Sequence, residues 1–393
     1  MTETIIIDLG TTGIAYISQQ GQKTVVRSPI GIVQKMKEPT TLHIVSDKVD
    51  IFGPDILERS YFGEQPTRSA VRYMQSHSQY VDYNFHGLKT VVYSLQEHIS
   101  PINDPTLHVS AVELFKVVLM LLKQAITAQV KQSFNLALLV PANTTDLLKN
   151  HLQQLIKSIF TELTTNIKFV QEPVAATKFA FTQLQNNQNL TSIAVLDLGG
   201  GTCDFSLLQL KNNEFIFKKT GAVFAGGYFV DQKFMNFVNS FEKNQRLKTG
   251  FLNQFQIAKT NYNGQFKPFA VKNWSGGNFE HIAPEFQQFW KKEEFEMKML
   301  LKKEIEFSAE FVKYCYEETV DKMKTGIKQF FENIDEEIDQ IIVVGGLAES
   351  KFVFKEAVSQ IPAQIQGKCI QIAQGSLSII KGGSLGLQSQ NVE

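Results

Sequence analysis

Val195-Leu196-Asp197-Leu198-Gly199-Gly200-Gly201-Thr202-Cys203-Asp204 decides the fold, because Ile6-Ile7-Asp8-Leu9-Gly10-Thr11-Thr12-Gly13 repeats its pattern near the start of the chain. In both copies a run of aliphatic residues ends in an aspartate followed by small residues, the profile of a buried strand feeding a tight turn. A strand pattern resumes after each turn, at Ile14-Ala15-Tyr16-Ile17 and at Phe205-Ser206-Leu207-Leu208. The unit therefore reads as a β-hairpin and not as the strand-to-helix turn of a Walker loop. A single Asp-Gly-Gly run is ordinarily a surface turn. Two copies in equivalent settings, with a third Gly-Gly pair after the aliphatic run Ile341-Ile342-Val343-Val344, point to phosphate binding.

The chemistry follows from the residue types. A polyphosphate needs backbone N–H groups that can approach its oxygens without interference from a Cβ, and Gly199, Gly200 and Gly201 supply them, with the Thr202 hydroxyl beside them. Aspartates at strand ends suit a hard divalent cation, which takes oxygen ligands and keeps part of its water shell. Asp8, Asp197 and Asp204 are the candidates for such a Mg²⁺ site, acting through water. Gly345 and Gly346, between the last aliphatic run and a helix expected near Ser350, let the backbone pass close to a nucleoside and its α-phosphate.

Between the copies, Val109 to Val130 reads as a long apolar helix and Leu136 to Val140 as a strand stopped by Pro141. Asp146 to Leu163 places Leu148, Leu152, Leu155, Ile156, Ile159 and Phe160 on one helical face. A strand at Ile167 to Val170 leads into a helix opened by Glu172-Pro173 and running to about Leu184, with proline in its first turn. The polar stretch Gln185 to Asn189 is the expected crossing between halves. The second half repeats the alternation. A helix spans Asp231 to Phe241, an irregular stretch holds Trp274 to Gly277, and a charged solvated segment runs from Lys291 to Lys303. A helix capped by Ser308 follows, and another covers Leu377 to Leu387. The expected domains are a first lobe over 1–187, a second over 188–375, and a helix in 376–393 that returns to the first.

Lys plus Arg and Asp plus Glu each total 39, so the formal charge is zero and the electrostatic footprint of a nucleic-acid or anionic-membrane binder is missing. The densest apolar stretch, Val117 to Leu122, falls far short of the roughly 20 residues that span a bilayer, and Ile5 to Ile7 has no basic flank before it. Cys203, Cys315 and Cys369 lack zinc or disulfide spacing and read as reduced thiols, which places the chain in the cytoplasm. Cys203 alternates with its neighbours along a strand and reads as a packed thiol. The seven histidines show no ligand spacing.

Taken together, Asp8-Leu9-Gly10-Thr11-Thr12, Glu172-Pro173-Val174-Ala175-Ala176, Asp197 to Asp204, Gly226-Gly227 and Gly345-Gly346 resemble, in order and spacing, the nucleotide-binding domain of DnaK-type heat-shock chaperones over nearly the whole chain. The resemblance implies an α/β fold of duplicated actin-like, ribonuclease H-like lobes with a nucleotide cleft between them. It implies that ATP or ADP binds with Mg²⁺, and that Asp8 and Asp197 hold the metal's water shell and orient the attacking water. Glu172 would contact the metal's waters; Gly10, Thr11, Thr12 and Thr202 would meet phosphates; Lys259 would pack on the adenosine. It also implies a protein partner or co-chaperone. The variants Gly345 to Ser350 and Ile379 to Gly382 look like a divergent, atypical branch. Arg72 aligns with the family's catalytic lysine, Tyr228 stands where an acid follows Gly226-Gly227, and Leu347 and Glu349 replace polar and basic adenosine contacts. Neither a leucine-rich linker nor a peptide-binding β-domain is expected within the chain.

The leading expectation is a Mg²⁺-dependent slow ATPase acting as a nucleotide-controlled switch. Small-molecule kinases share these lobes and loops, and phosphoryl transfer that depends on an added metabolite would mark that reading. Tight nucleotide binding with no phosphate release would mark a third, an inactive nucleotide-binding or filament-forming protein.

Overall fold

The structure is a computed structural model that describes residues 3–10, 13–20, 23–27, 42–46, 51–62, 66–77, 79–85, 89, 96–101, 106–184, 190–241, 245–260, 262, 269–272, 304–372 and 375–388. Thr11, Thr12, the crossing at 185–189, the irregular stretch at 274–277 and the charged segment at 291–303 lie outside the described residues.

The quoted repeat folds as two matching hairpins. Strand β1 (Glu3–Leu9) pairs antiparallel with β2 (Ile14–Gln20), which pairs with β3 (Lys23–Arg27). A three-stranded sheet follows, in the order β5-β4-β6, from β4 (Leu42–Ser46), β5 (Ser60–Phe62) and β6 (Val81–Phe85). It carries the short helices α1 (Ile56–Arg59) and α2 (Arg68–Ser76). After the small ladder β7 (His98–Ile99) and β8 (Val109–Ser110) comes α3 (Ala111–Thr127). Helix α3 thus begins two residues later than its apolar run, because Ser110 caps it by accepting from Glu113 N. Then follow β9 (Phe134–Val140), α4 (Asp146–Phe160), β10 (Thr164–Gln171) and α5 (Glu172–Gln183).

The second half repeats this plan with β11 (Ser192–Leu198), β12 (Cys203–Lys211), β13 (Glu214–Val223), α6 (Gly227–Phe241) and α7 (Gln245–Thr260). The ladder of β14 (Phe269–Lys272) and β15 (Glu304–Phe307) precedes the long α8 (Ala309–Phe331), whose cap is Ser308 accepting from Phe311 N. The chain ends through β16 (Gln340–Val344), α9 (Lys351–Val358), β17 (Cys369–Gln371) and α10 (Gly375–Gln388).

The two large sheets have the orders β3-β2-β1-β9-β10 and β13-β12-β11-β16-β17. In each, three antiparallel strands are joined to two parallel ones, so the two halves share one topology. The hairpin loops match as well. Leu9 pairs with Ile14 and Leu198 with Cys203, leaving four loop residues in each, and Gly10 N and Gly199 N donate across the turn to Gly13 O (2.9 Å) and Thr202 O (3.0 Å).

Because side chains alternate along a strand, β1 and β11 serve two cores at once, which is why both read as unbroken aliphatic runs. Ile5, Ile7 and Leu9 pack with α3 and α4, and Ala194, Leu196 and Leu198 pack with α6 and α8. Ile6, Ile193 and Val195 turn the other way, into a third core shared with Ala175, Ala176 and Ala180 of α5 and Leu377, Ile379 and Ile380 of α10. The same alternation puts Asp8 on the face of Ile6 and Asp197 on the face of Val195, so both aspartates face the region between the sheets.

Many of the chain's 31 phenylalanines fill the second-half core. Phe234 of α6 stacks on Phe255 of α7 at 4.1 Å between ring centres, and Phe307 meets both Phe234 and Phe237 edge-on. Each such ring removed to alanine costs about 3 to 5 kcal/mol.

Asp339 ties the strand entries of the second sheet, its Oδ2 accepting from Thr191 N (2.8 Å), Ser192 N (2.9 Å) and Thr191 Oγ1 (3.0 Å). Partial burial works against its charge, but these bonds and Lys368 outweigh that and hold its carboxyl below the usual value. A depressed carboxyl contributes stability at pH values above the unfolded-state value, and that contribution is lost as pH falls through the folded value. Asp339→Ala is expected to cost about 1 kcal/mol at pH 7. In urea titrations at a series of pH values the gap from wild type should shrink on acidification.

Candidate functional site

Glu172 opens α5 directly from the end of β10, with Pro173 behind it at the first turn, so the local sequence delivers a carboxylate to the edge of the region between the sheets. Its partner is Lys89, whose Nζ donates to Glu172 Oε1 at 2.5 Å, with side chains 12% and 5% exposed. Burial pushes the Glu172 carboxyl up from its ordinary value. Lys89 pulls it back down, and the charges of Asp8 and Asp204 push it up again. The Asp204 carboxyl is likewise raised by burial and lowered by a hydrogen bond from Thr202 and by Lys89. Lys89 thus acts on both Glu172 and Asp204, and Glu172 also feels the charge of Asp8.

Arg72 does not belong to this group. It is exposed on α2, which packs on α1 and β4, and no hydrogen bond or ion pair among the described residues joins it to Asp8 or Glu172. The cause is helical register: Ala70 is the buried residue of α2, and two residues further on the side chain is turned by about 200°. Lys89 carries no sequence signal of its own, since its partner is 83 positions away and contact was made by folding.

The second hairpin is locked to the start of α6. Gly227 N donates to Gly199 O (3.2 Å) and Tyr228 N to Gly200 O (2.7 Å). A Cβ on Gly226 would lie 2.2 Å from Gly200 O, a backbone atom, so only glycine fits there. Helix α6 consequently begins at Gly227, earlier than the run from Asp231 suggested. The Cys203 thiol donates to Ala225 O at 2.6 Å from the opposite face of the strand. Burial, with Asp204 and Asp197 nearby, pushes that thiol well above its usual value, so it stays protonated and packs instead of attacking. Thr202 Oγ1 donates to Asp204 Oδ2 at 2.5 Å, which commits its hydrogen within the hairpin.

Gly345 has φ of +96°, and a Cβ there would sit 2.5 Å from Asp197 Oδ1 and 2.3 Å from Leu198 O. The third glycine pair therefore lies directly against the second hairpin. Gly346 leads into a single 3-10 turn, Leu347–Glu349, before α9. Lys259, near the end of α7, completes this corner. Its Nζ contacts Asp231 Oδ1 (2.5 Å) and Gly227 O (3.2 Å), and a Cβ on Gly227 would lie 3.6 Å from Lys259 Nζ and 4.0 Å from Leu347 Cδ1.

The structure so gathers Gly199, Gly200, Gly201, Gly226, Gly227, Lys259, Gly345 and Gly346 at one end of the second sheet, with Asp197 and Asp204. Asp8, Gly10 and Glu172 stand with Lys89 at the matching end of the first. Lys89 and Asp231 are the residues that sequence reasoning missed. Among the described residues, no three His, Cys, Asp or Glu groups are placed to hold a bare metal ion. Asp8, Asp197 and Asp204 offer carboxylate oxygens, the donor chemistry that a hard ion keeping part of its water shell takes. Among the described residues no helix is long and apolar enough to cross a membrane.

The chain and its fold have counterparts. The family model for Hsp70 protein matches residues 80–362, well over half of the chain. The fold is similar to the crystal structure of MreB5 of Spiroplasma citri bound to ADP, with a TM-score of 0.61 and 14% identity, covering 99% of this chain and 98% of that one.

Proposed function

The chain belongs to the Hsp70 family, and from that premise we propose that it is a Mg²⁺-dependent slow ATPase whose nucleotide state switches its shape. It is an ATP-binding protein of the actin-like ATPase fold. One observation carries the finer reading: two hairpins of identical register present Asp8 and Asp197 to the same region, and the Lys89–Glu172 pair stands beside them.

In this reading the backbone N–H groups of Gly200 and Gly201 hold the phosphates, Gly10 and Gly199 shape the turns around them because their own N–H groups close the hairpins, and Asp8, Asp197 and Asp204 hold the ion through its waters. Bound Mg²⁺ would neutralise charge on the terminal phosphates. Glu172 fixes the Lys89 ammonium, a compact cation suited to a phosphate that gains charge as its bond breaks. Asp8 and Asp197 orient the attacking water, and water is the phosphoryl acceptor. ADP, named for the MreB5 structure, supports an adenine nucleotide here. We assign the lobes to 1–187 and 188–375, with the helix in 376–393 returning to the first. The output of the switch is altered binding of a protein partner, and the buried or half-buried free thiols suit the reducing cytoplasm.

Thermal melts of the full chain with Mg·ATP, Mg·ADP and neither test this. A nucleotide at about 100 times its Kd is expected to add roughly 2.7 kcal/mol of stability. Melts that coincide in all three conditions sink the proposal. Phosphate release measured on the same sample then separates a slow ATPase from a nucleotide-binding protein that does not turn over.

A further inference from the structure

We infer that Asp231 is a positioning residue for nucleotide recognition: it fixes the Lys259 ammonium against the Gly227 carbonyl, so that α7 and the phosphate hairpin read the ligand as one body. The inference rests on the nucleotide reading above. Asp231 lies four residues after Gly227 on α6, one turn further along the same face, and helical side chains lean toward the N-terminus. Its carboxylate is thereby aimed at the turn that grips Gly199 and Gly200. Oδ1 takes Lys259 at 2.5 Å and Oδ2 accepts from Gln256 Nε2 at 3.3 Å, so both oxygens are spent on α7.

The pair is enclosed, with side chains 15% and 11% exposed for Lys259 and Asp231. An unpaired carboxylate this close to the hairpin would repel a polyphosphate, and Lys259 cancels it. The backbone of Lys259 is held as well, since Tyr316 Oη donates to its carbonyl oxygen at 3.0 Å. Of the ammonium's three donors, Asp231 and Gly227 take two among the described residues, which leaves one for a ligand. With its charge already matched and the apolar Leu347 also close to Gly227, this donor suits an uncharged hydroxyl or ring nitrogen of the nucleoside better than a phosphate.

Calorimetric titration of the full chain with Mg·ADP and with Mg·pyrophosphate, for wild type, Asp231→Asn, Asp231→Glu, Lys259→Met and the double variant, tests this. Asp231→Asn is expected to weaken Mg·ADP by about 10-fold or more, the size of one misplaced charge-assisted hydrogen bond, and to leave pyrophosphate within about 3-fold. Asp231→Glu should recover part of the loss, and Asp231→Asn on top of Lys259→Met should change little more, because the two act as a unit. If Asp231→Asn does not fold, Asp231→Leu with Lys259→Met replaces the pair by apolar groups, and its ADP affinity should equal that of Lys259→Met alone. Unchanged ADP binding in Asp231→Asn, equal loss of both ligands, or an additional loss in the double variant would overturn the inference while leaving the nucleotide reading intact. A wild-type chain that takes up neither ligand overturns both.

Discussion

Lys89→Met is expected to cut phosphate release by about 100-fold or more, the usual cost of removing one preorganised charge at a reacting group, whereas Arg72→Met should leave it within about 2-fold. Two effects of the first substitution compete. Breaking a buried ion pair by removing one partner commonly costs about 3 to 5 kcal/mol, because a charge is left alone. Here burial already pushes the Glu172 carboxyl upward, and removing Lys89 takes away the charge that opposes this, so protonation becomes easier and the penalty smaller. The fold should therefore survive with a moderate loss, and the rate should not. Single-turnover phosphate release, with melts and Mg·ADP affinity of the same variants, checks this. A Lys89→Met protein that still hydrolyses ATP, or an Arg72→Met protein that does not, would return the catalytic cation to α2.

Gly382→Ala is expected to destabilise the protein by about 2 kcal/mol or more, and Gly383→Ala by less than about 1. Both residues lie on α10, and in a helix interior glycine-to-alanine normally gains up to about 1 kcal/mol. At Gly382 a Cβ would fall 1.7 Å from Ala175 O, a backbone atom of α5, so the two helices must part. At Gly383 the nearest obstacle, at 2.9 Å, is Leu139 Cδ2, the end of a side chain that can turn aside. Ala175 is three residues into α5 from Glu172, so the displacement reaches the site as well. Urea midpoints and nucleotide affinities for the two variants would show both effects. Equal stabilities would mean that α10 does not sit as close to α5 as the structure has it.

Much of the fold was legible because its signals are local. The aliphatic runs at 5–7 and 193–196, the four-residue hairpin turns beyond them and the Ser308 cap each depend on residues within one turn or one strand. Starts of helices were read less well. Helix α6 begins at Gly227 because the hairpin carbonyls at 199 and 200 receive its first N–H groups, and no periodicity within α6 announces that. The sheet of β4, β5 and β6 was not read at all. Its pairs run between segments with mixed polar and apolar residues, such as His43 opposite Tyr61 and Asn84.

The sequence by itself determined that the chain is a duplication, that each half opens with a hairpin ending in aspartate, and, through the two-residue period of a strand, that Asp8 shares a face with Ile6 and Asp197 with Val195. Only the tertiary structure decided which cation meets Glu172, what holds Lys259, and where α10 can approach α5. Periodicity fixes an element and its faces because neighbours in the chain set it. Contacts such as that of Lys89 with Glu172 depend on the summed packing of every element between them, and no local pattern carries that sum.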